Sequence, residues 1–489
     1  MTDDDTPDMP SQDASPPQDA PLPPPPPPPS PPSDTPAPSP EEPPPAPRER
    51  NALERLQLGV SAANFAAPLI HAGGIVTEVT PAYCRVSGLS QFVKLGECVT
   101  LNSGANAQLG EVVRVEENGT TIKTFDPVVN VGLGSIAWQR GFVTIRPHPL
   151  WKSRILNALG QPIDDGPPLL HGNRDISVER EPPSPMRRQR VETPMKTGVR
   201  VIDLFTPLCA GQRIGVFAGS GIGKSTLLGM LARARGFDPV VVALVGERGR
   251  EVREFLEDSL SSESSRAIAV ISTGDESPMM RRLAPKMAMC ISEYFRDMGE
   301  NVLLIVDSVT RYAHAAREVA LAAGEPPVAR GYTPSVFSDM PKLLERAGPG
   351  EEGAGSITGI FAVLVDGDDH NEPVADNIRG TLDGHIVLDR ATADQGRYPA
   401  VNVLTSVSRM AGNIWTTEER NLIMKLRAMI ARYEETRDLR LMGGYHSGTD
   451  PELDRALELV PRIFEVMKQS PSDPLSLNAF QEVAQALAS

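Results

Sequence analysis

The chain has 489 residues, enough for about two to four domains, and a formal net charge of −15. The first 47 residues hold 21 of the 48 prolines and nine acidic residues but no lysine or arginine. The remaining 54 acidic and 48 basic residues are nearly balanced, which argues against a dedicated nucleic-acid-binding protein. No apolar run approaches the ~18 residues that span a bilayer, and the acidic start, MTDDDTPDMP, is unlike a signal peptide.

The proline-rich front, residues 1–48, is predicted to be disordered with polyproline II character, because it has too little apolar surface to bury. A solvated spacer and a docking site for a proline-recognising partner are both open interpretations. Residues 49–69 are predicted to form a helix and a linker. In ERNALERLQL, at 49–58, apolar residues recur at helical spacing, so this helix either packs on its own domain or contacts a partner.

Residues 70–146 consist of short runs rich in valine and threonine, such as GEVVRVEENGTTIKTF, which are broken by glycine and asparagine. Several runs alternate between apolar and polar positions, which is typical of strands in a small all-β unit. We therefore predict a β-barrel here. A loop-rich connector is predicted to follow at 147–195.

The cysteines lie far apart along the chain, at Cys84, Cys98, Cys209 and Cys290. Their spacing fits no metal site. We predict reduced, mostly buried thiols in a cytosolic protein.

Residues 196–412 alternate between strand and helix patterns. The strand candidates are RIGVFA, PVVVALVG, AIAVIST, NVLLIVD, GSITGIFAVLV and GHIVLD. Because several are almost continuously apolar, we predict a parallel sheet covered by helices on both faces, and so an α/β domain. Residues 413–489 are predicted to be helical, and Asp450-Pro451-Glu452 opens one helix with a cap, a proline and an acid in the favoured order.

The stretch from 218 to 226 reads Ala-Gly-Ser-Gly-Ile-Gly-Lys-Ser-Thr, after a predicted strand and at the start of a predicted helix. This is the phosphate-binding loop pattern, with Ala218 in place of its first glycine. Glycines let the backbone N–H groups turn inward, and the helix N-terminus adds partial positive charge, so the loop suits the phosphates of a nucleotide. The predicted binding residues are Ala218, Gly219, Ser220, Gly221, Ile222, Gly223, Lys224, Ser225 and Thr226.

Three of these residues have specific predicted roles. Lys224 would reach the β- and γ-phosphates, Ser225 would be a ligand of Mg²⁺, and Thr226 would assist near the α-phosphate. The pattern therefore predicts nucleotide binding, with Mg²⁺, but does not say how the energy is used.

Two carboxylates at predicted strand ends would complete a hydrolytic site. NVLLIVD ends in Asp307, on a strand expected to lie beside the loop strand, where the carboxylate would hold the water shell of Mg²⁺. Glu247 ends another strand and is predicted to position and polarise the attacking water. Arg248 and Arg250 would orient Glu247 or pair with Glu251.

Together these pieces resemble the catalytic subunits of the rotary ATP synthases. The resemblance implies an N-terminal β-barrel, a central RecA-like domain and a C-terminal helical domain. GERGREVREF is close to the secretion-linked branch. Four further stretches resemble the flagellum-specific ATP synthases, the ATPases of flagellar protein export: STGDESPMMRR (272–282), GEPPVARGYTPSVFSDMPKLLERAG (324–348), LVDGDDHNEPVAD (364–376) and GHIVLDR (384–390). The resemblance runs from about residue 50 to the C-terminus.

Two site residues are implied by this resemblance. Tyr332, in RGYTPS, matches the aromatic residue that packs on the adenine ring. SVSRMAG, at 406–412, matches the non-catalytic neighbour in the rotary synthases, whose arginine enters the catalytic subunit's site. Here Arg409 and Glu247 are on one chain, which implies a homohexamer in which Arg409 completes the neighbour's site.

The resemblance also implies partners and a location. Relatives bind a regulatory stator-like export protein through the region of the 49–58 helix, and their C-terminal helices touch the export gate and chaperone–substrate complexes. We expect a cytoplasmic ATPase, peripheral at the inner membrane, with no nucleic-acid partner. Three alternatives stay open: the ATPase of a virulence-type type III secretion injectisome, an RNA-translocating hexameric helicase, and a nucleotide-binding subunit without activity.

Overall fold

The computed structural model describes residues 71–102, 107–365 and 372–488. The proline-rich front and the helix predicted over 49–58 lie outside these described residues. The strands, numbered along the chain, are β1 Gly73–Val79, β2 Cys84–Ser87, β3 Cys98–Leu101, β4 Gln108–Glu116, β5 Gly119–Thr124, β6 Ile136–Gly141, β7 Thr144–Ile145, β8 Ile155–Asn157, β9 Ile176–Ser177, β10 Pro194–Met195, β11 Leu208–Cys209, β12 Arg213–Ala218, β13 Val240–Glu247, β14 Ala267–Thr273, β15 Asn301–Asp307, β16 Gly348–Pro349, β17 Ser356–Leu364, β18 Gly384–Leu388 and β19 Val407–Ser408.

The α-helices are α1 Arg200–Phe205, α2 Lys224–Ala232, α3 Gly249–Glu254, α4 Pro278–Asp297, α5 Val309–Ala322, α6 Pro334–Glu345, α7 Pro373–Thr381, α8 Arg390–Asp394, α9 Ala411–Ile414, α10 Thr417–Glu435, α11 Arg437–Leu441, α12 Pro451–Met467 and α13 Ala479–Ala488. A π-helical turn over Phe255–Ser259 extends α3.

The first six strands form a closed antiparallel barrel in the order β1-β2-β5-β4-β3-β6. Valines and isoleucines at alternate positions fill its interior, among them Val76, Val86, Val112 and Ile122. Alternation works here because successive side chains of a strand point to opposite faces of the sheet. The predicted N-terminal β-barrel is confirmed.

The central sheet lies in the order β19-β18-β12-β17-β15-β13-β14-β8, and β16 pairs with β17. From β18 to β8 all neighbours are parallel, whereas β19 and β16 pair antiparallel. Successive residues of one strand enter different cores: Val240 and Val242 pack on one face of the sheet, and Val241 on the other. This double burial explains the almost unbroken apolar runs and confirms the predicted α/β domain.

Two details of the sheet differ from the sequence analysis. The prediction that the strand of Asp307 lies beside the loop strand is wrong, because β17 pairs with both β12 and β15 and separates them. The predicted connector also supplies β8, which pairs in parallel with β14 at the edge of the sheet. Strand order depends on contacts between distant segments, which a strand's own sequence does not encode.

The C-terminal part is helical, as predicted. Asp450 caps α12 by accepting hydrogen bonds from the backbone N–H groups of Glu452 (3.0 Å) and Leu453 (3.2 Å). The buried side of α12, which includes Val460 and Ile463, packs on the central domain's core. Among the described residues, no helix combines the length and the apolar character that crossing a bilayer requires.

All four cysteines are buried free thiols, as predicted. Burial raises the pKa of Cys84 and Cys209 to about 11 and that of Cys98 and Cys290 to about 12. They are therefore protonated at neutral pH and are structural rather than reactive groups.

Candidate active site

The phosphate-binding loop connects the end of β12, at Ala218, to the start of α2, at Lys224. Gly221 and Gly223 have φ angles of 77° and 92°, in the left-handed region that favours glycine. A Cβ on Gly221 would meet no atom within 4 Å, so the backbone conformation, and not crowding, calls for glycine there. The first N–H groups of α2 have no partner inside the helix and are available to an anion.

Lys224 meets both predicted carboxylates. Its Nζ donates to the carboxylate of Asp307 and lies 3.5 Å from Oε1 of Glu247. Each of the three side chains is at most 10% exposed. The ends of β13 and β15 and the start of α2 thus bring together residues that are 23 and 83 positions apart in sequence.

Arg311, which the sequence analysis missed, holds Glu247 from the other side. Its Nη2 lies 3.1 Å from Oε2 of Glu247, and its Nη1 donates to the carbonyl of Gly246. Ser308 caps α5 and accepts a hydrogen bond from the backbone N–H of Arg311 (3.4 Å), which places Arg311 in the first turn of that helix. The sequence signal that could have identified Arg311 is its position four residues after Asp307.

The arginines after Glu247 have other partners. Arg248 is 84% exposed and lies 3.7 Å from Glu251, and Arg250 lies 3.0 Å from Glu254. The structure thus places Arg248 in the predicted pair with Glu251, and Arg311 is the arginine that contacts Glu247. A catalytic role of Arg248 stays a prediction.

Burial raises the pKa of Glu247 to about 7, and the nearby Asp307 carboxylate acts in the same direction. Lys224 and Arg311 favour the charged form and oppose this shift in part. A carboxylate whose pKa lies near neutrality is suited to accept a proton or to orient water at physiological pH.

Tyr332 is 2% exposed and does not have a free face for a base. His314 stacks on it at 6.0 Å, Arg317 lies over its ring at 5.0 Å, and its hydroxyl donates to Glu372 (3.3 Å). These contacts give the predicted adenine contact no support. Hydrophobic packing against Phe337 on α6 and residues of α5 explains why this tyrosine is buried instead.

Tyr398 is an aromatic residue that lies beside the loop. A Cβ atom built on Gly223 would lie 3.8 Å from the ring of Tyr398, so the ring is close to the loop. The Tyr398 side chain is 49% exposed. Tyr398, Gly223, Thr226 and Leu227 line one cavity of about 470 Å³. The sequence signal for Tyr398 was weak, because a tyrosine in a polar turn has no characteristic spacing.

Ser225 and Thr226, at the start of α2, are exposed. Within the described ranges, no group of three or more His, Cys, Asp or Glu side chains is placed to hold a metal ion. A Mg²⁺ ion bound mainly by phosphates and water needs only one or two protein ligands, so the predicted ligands, the Ser225 hydroxyl and the Asp307 carboxylate, would be enough in number.

Arg409 follows β19, the antiparallel strand at the edge of the central sheet opposite β8. Its backbone N–H donates to the carbonyl of Asp383 (2.9 Å), and its side chain is exposed. It is therefore placed at the flank of the domain, available to a neighbouring molecule.

The chain resembles known proteins over most of its length. A family model described as "ATP synthase alpha/beta family, nucleotide-binding domain" matches residues 198–408, and "T3SS EscN ATPase C-terminal domain" matches residues 415–488. The "Flagellum-specific ATP synthase" of Agrobacterium fabrum (strain C58) is 54% identical over 433 residues, which cover 88% of this chain and 92% of that protein.

Two solved structures of the ATPase EscN from the type III secretion system of enteropathogenic E. coli also match. Assembled EscN has a TM-score of 0.79 at 38% identity, and EscN in complex with its central stalk EscO has a TM-score of 0.77 at 37% identity. Each match covers 85% of this chain and 100% of the EscN chain. The higher identity to the flagellar relative favours the flagellar branch over the injectisome. The chain therefore belongs to the family of flagellum-specific ATP synthases and type III secretion ATPases, within the ATP synthase alpha/beta family.

Proposed function

We propose that this chain hydrolyses ATP with Mg²⁺ and thereby energises the export of flagellar proteins through a type III export apparatus, as a homohexameric ring. The observation that carries the proposal is the meeting of Lys224, Glu247 and Asp307 directly behind a phosphate-binding loop. The similarity to flagellum-specific ATP synthases supports the biological process.

The loop and the first turn of α2 bind the phosphates through backbone N–H groups. Lys224 exchanges its carboxylate partners for oxygens of the β- and γ-phosphates. Ser225 and Asp307 would hold Mg²⁺, and the ion would supply positive charge against the charge that develops on the phosphates.

Glu247 orients the water that attacks the γ-phosphate. Arg311 fixes one oxygen of its carboxylate, at 3.1 Å, so that the other oxygen is directed towards Lys224 and the phosphates. Positioning of this kind contributes strongly to phosphoryl transfer, because the reaction requires little covalent chemistry from the protein. Tyr398 packs on the adenine ring in the cavity that it shares with Gly223 and Thr226.

Arg409 completes the site of the next subunit. Its exposed place at the sheet edge suits a contact in trans, and an arginine supplied across an interface contributes about 10³- to 10⁵-fold in rate. Because each copy offers both a loop and an arginine, the contact is head-to-tail and closes into a ring when the rotation permits. The assembled state of EscN supports this arrangement.

The partners follow from the same family. EscN binds a central stalk, EscO, and we propose a corresponding stalk protein here. We also propose that the 49–58 helix binds a regulatory stator-like export protein and that the C-terminal helices meet the export gate and chaperone–substrate complexes. The protein would then work in the cytoplasm, peripherally at the inner membrane.

Phosphate release from ATP by the purified full chain, at concentrations high enough for assembly and with Mg²⁺ present, tests the enzymatic proposal. Lys224→Ala and Glu247→Gln should each abolish turnover while the thermal unfolding profile stays cooperative. Arg253→Ala is the control, because this exposed side chain pairs with Glu257 one turn further along its own helical segment (2.6 Å). Near-normal hydrolysis by Glu247→Gln would contradict the role given to this carboxylate.

A further inference from the structure

The turn that carries Tyr398 is anchored to the C-terminal helices by one side chain. Of residues 394–398, only Arg397 is not exposed. Gly396 just before it has a φ of 66°, in the left-handed region that favours glycine, as expected in a tight turn. Tyr398 lines the cavity beside the phosphate-binding loop, and Tyr398 and Arg397 both line a second cavity, of about 190 Å³, to which α10 and α12 also contribute.

Arg397 makes two side-chain contacts with different helices. Its Nη2 lies 3.2 Å from Oε1 of Glu434 on α10, and its guanidinium lies over the ring of Phe464 on α12 at 3.9 Å. The arginine side chain is 14% exposed. An ion pair and a cation–π contact that are shielded from water hold such a side chain firmly.

The peptide of Tyr398 is held by the same part of the chain. Its carbonyl accepts a hydrogen bond from the backbone N–H of Gln469 (2.9 Å), just after α12. Gln469 is itself buried, and its side chain donates to the carbonyl of Gly198 (2.9 Å) and accepts from the backbone N–H of Arg200 (3.0 Å). The position of Tyr398 in the proposed nucleotide cavity therefore depends on contacts with the C-terminal helical region, in addition to the conformation of its own turn.

We infer that Arg397 is a positioning residue for the nucleotide base, which acts by fixing Tyr398 through Glu434 and Phe464. This inference rests on the proposed function, in which Tyr398 packs on adenine. Arg397 does not contact the phosphate-binding loop in any described hydrogen bond or ion pair, so its loss should weaken recognition of the base and leave recognition of the triphosphate intact.

Steady-state hydrolysis by the full chain separates these effects. Arg397→Ala should raise the KM for ATP by about three- to tenfold, the size expected from a shielded cation–π contact and ion pair, with kcat changed by less than about twofold. The inhibition constant of inorganic tripolyphosphate should not change, because this probe has no base. Arg437→Ala is the matched control, since Arg437 lines the cavity of about 190 Å³ that Arg397 also lines, but is exposed.

A merely structural role predicts a different result, because partial unfolding lowers kcat through the active fraction and leaves KM unchanged. Glu434→Gln keeps the side-chain volume and removes the ion pair with Arg397. It should also raise the KM for ATP, but by less than Arg397→Ala does. This second variant provides the test if Arg397→Ala does not fold. The double variant Arg397→Ala/Tyr398→Ala should have the KM of Tyr398→Ala alone, because Arg397 acts through Tyr398.

The inference is overturned if Arg397→Ala and Glu434→Gln leave KM unchanged, if they weaken tripolyphosphate as much as ATP, or if the two single effects add fully in the double variant. Failure of the proposed function looks different. In that case the wild-type chain releases no phosphate, or Tyr398→Ala has a normal KM for ATP.

Discussion

Lys224 contributes both to the charge balance of the buried site and to its proposed chemistry. A buried ammonium group is costly unless it is paired, and Glu247 and Asp307 meet that need here. A triphosphate bound as proposed would compete with both carboxylates for the same ammonium. In the proposed function, nucleotide binding would therefore be linked to the release of Glu247 from Lys224, and the carboxylate would become available for water when the phosphates are in place.

The raised pKa of Glu247 predicts a pH-dependent stability. In the unfolded chain a glutamate titrates near about 4.3, whereas in the folded nucleotide-free protein the pKa of Glu247 is about 7. The folded state then binds more protons between these values, so this group lowers stability as the pH rises through that window. Glu247→Gln does not titrate and should raise the thermal midpoint of the nucleotide-free protein more at pH 8 than at pH 5.5. An equal or larger gain at pH 5.5 would contradict this.

Arg311 should matter for turnover more than for binding. Removing it frees one oxygen of Glu247 and the carbonyl of Gly246, and misplacing a reacting group by about 1 Å costs on the order of 10²-fold in rate. We expect Arg311→Ala to lower kcat by about this factor with little change in the equilibrium binding of ATP, measured by titration. A variant with unchanged kcat, or one in which only ATP binding is lost, would show that Arg311 does not act through Glu247.

The short strand β8 depends on one carboxylate for its place at the sheet edge. Asp164 pairs with Arg154 at 2.7 Å and accepts hydrogen bonds from the backbone N–H groups of Ile155 (2.7 Å) and Gly166 (3.1 Å). The Arg154 guanidinium and these N–H groups lower the pKa of Asp164 to about 2. Its contribution is therefore complete above about pH 4 and is lost as the pH falls towards 2.

Asp164→Asn should lower the free energy of unfolding by about 1–3 kcal/mol at pH 7, because a partly buried hydrogen-bond network loses its negative charge and one of its two acceptor oxygens. Chemical denaturation followed by circular dichroism measures this change. Asp165→Asn, next to it and exposed, is the matched control and should have no comparable effect. Equal midpoints for the two variants would show that β8 does not need this carboxylate.

The assembly prediction concerns the protein as a ring. Arg409→Ala should lose most activity, and mixing it with Glu247→Gln chains should restore part of it, since some interfaces then join an intact Glu247 to an intact Arg409. Mixing Arg409→Ala with the double variant Glu247→Gln/Arg409→Ala should restore nothing, because the arginine is then missing from every interface. Absence of rescue in the first mixture would argue against action in trans.

Much of the architecture could be predicted from the chain itself. The apolar runs of β12, β13 and β15 marked the core of the sheet because each is buried on both faces, and valine-rich alternation marked the barrel. The order of strands could not be predicted in the same way. β17 separates β12 from β15, and this order depends on side-chain packing between strands that are distant in sequence. The edge strand β8 has only three residues, too few to show a recognisable strand pattern.

The sequence alone determined the phosphate-binding loop, Lys224 and the two carboxylates, because a glycine-rich turn between a strand and a helix is a local structure and strands of a parallel sheet end at one edge. The tertiary structure alone decided that Arg311 holds Glu247, that Tyr398 lies beside the loop, and that Arg397 joins this tyrosine to the helices. These pairings join segments far apart in the chain, and their geometry depends on packing between elements, which residue spacing does not encode.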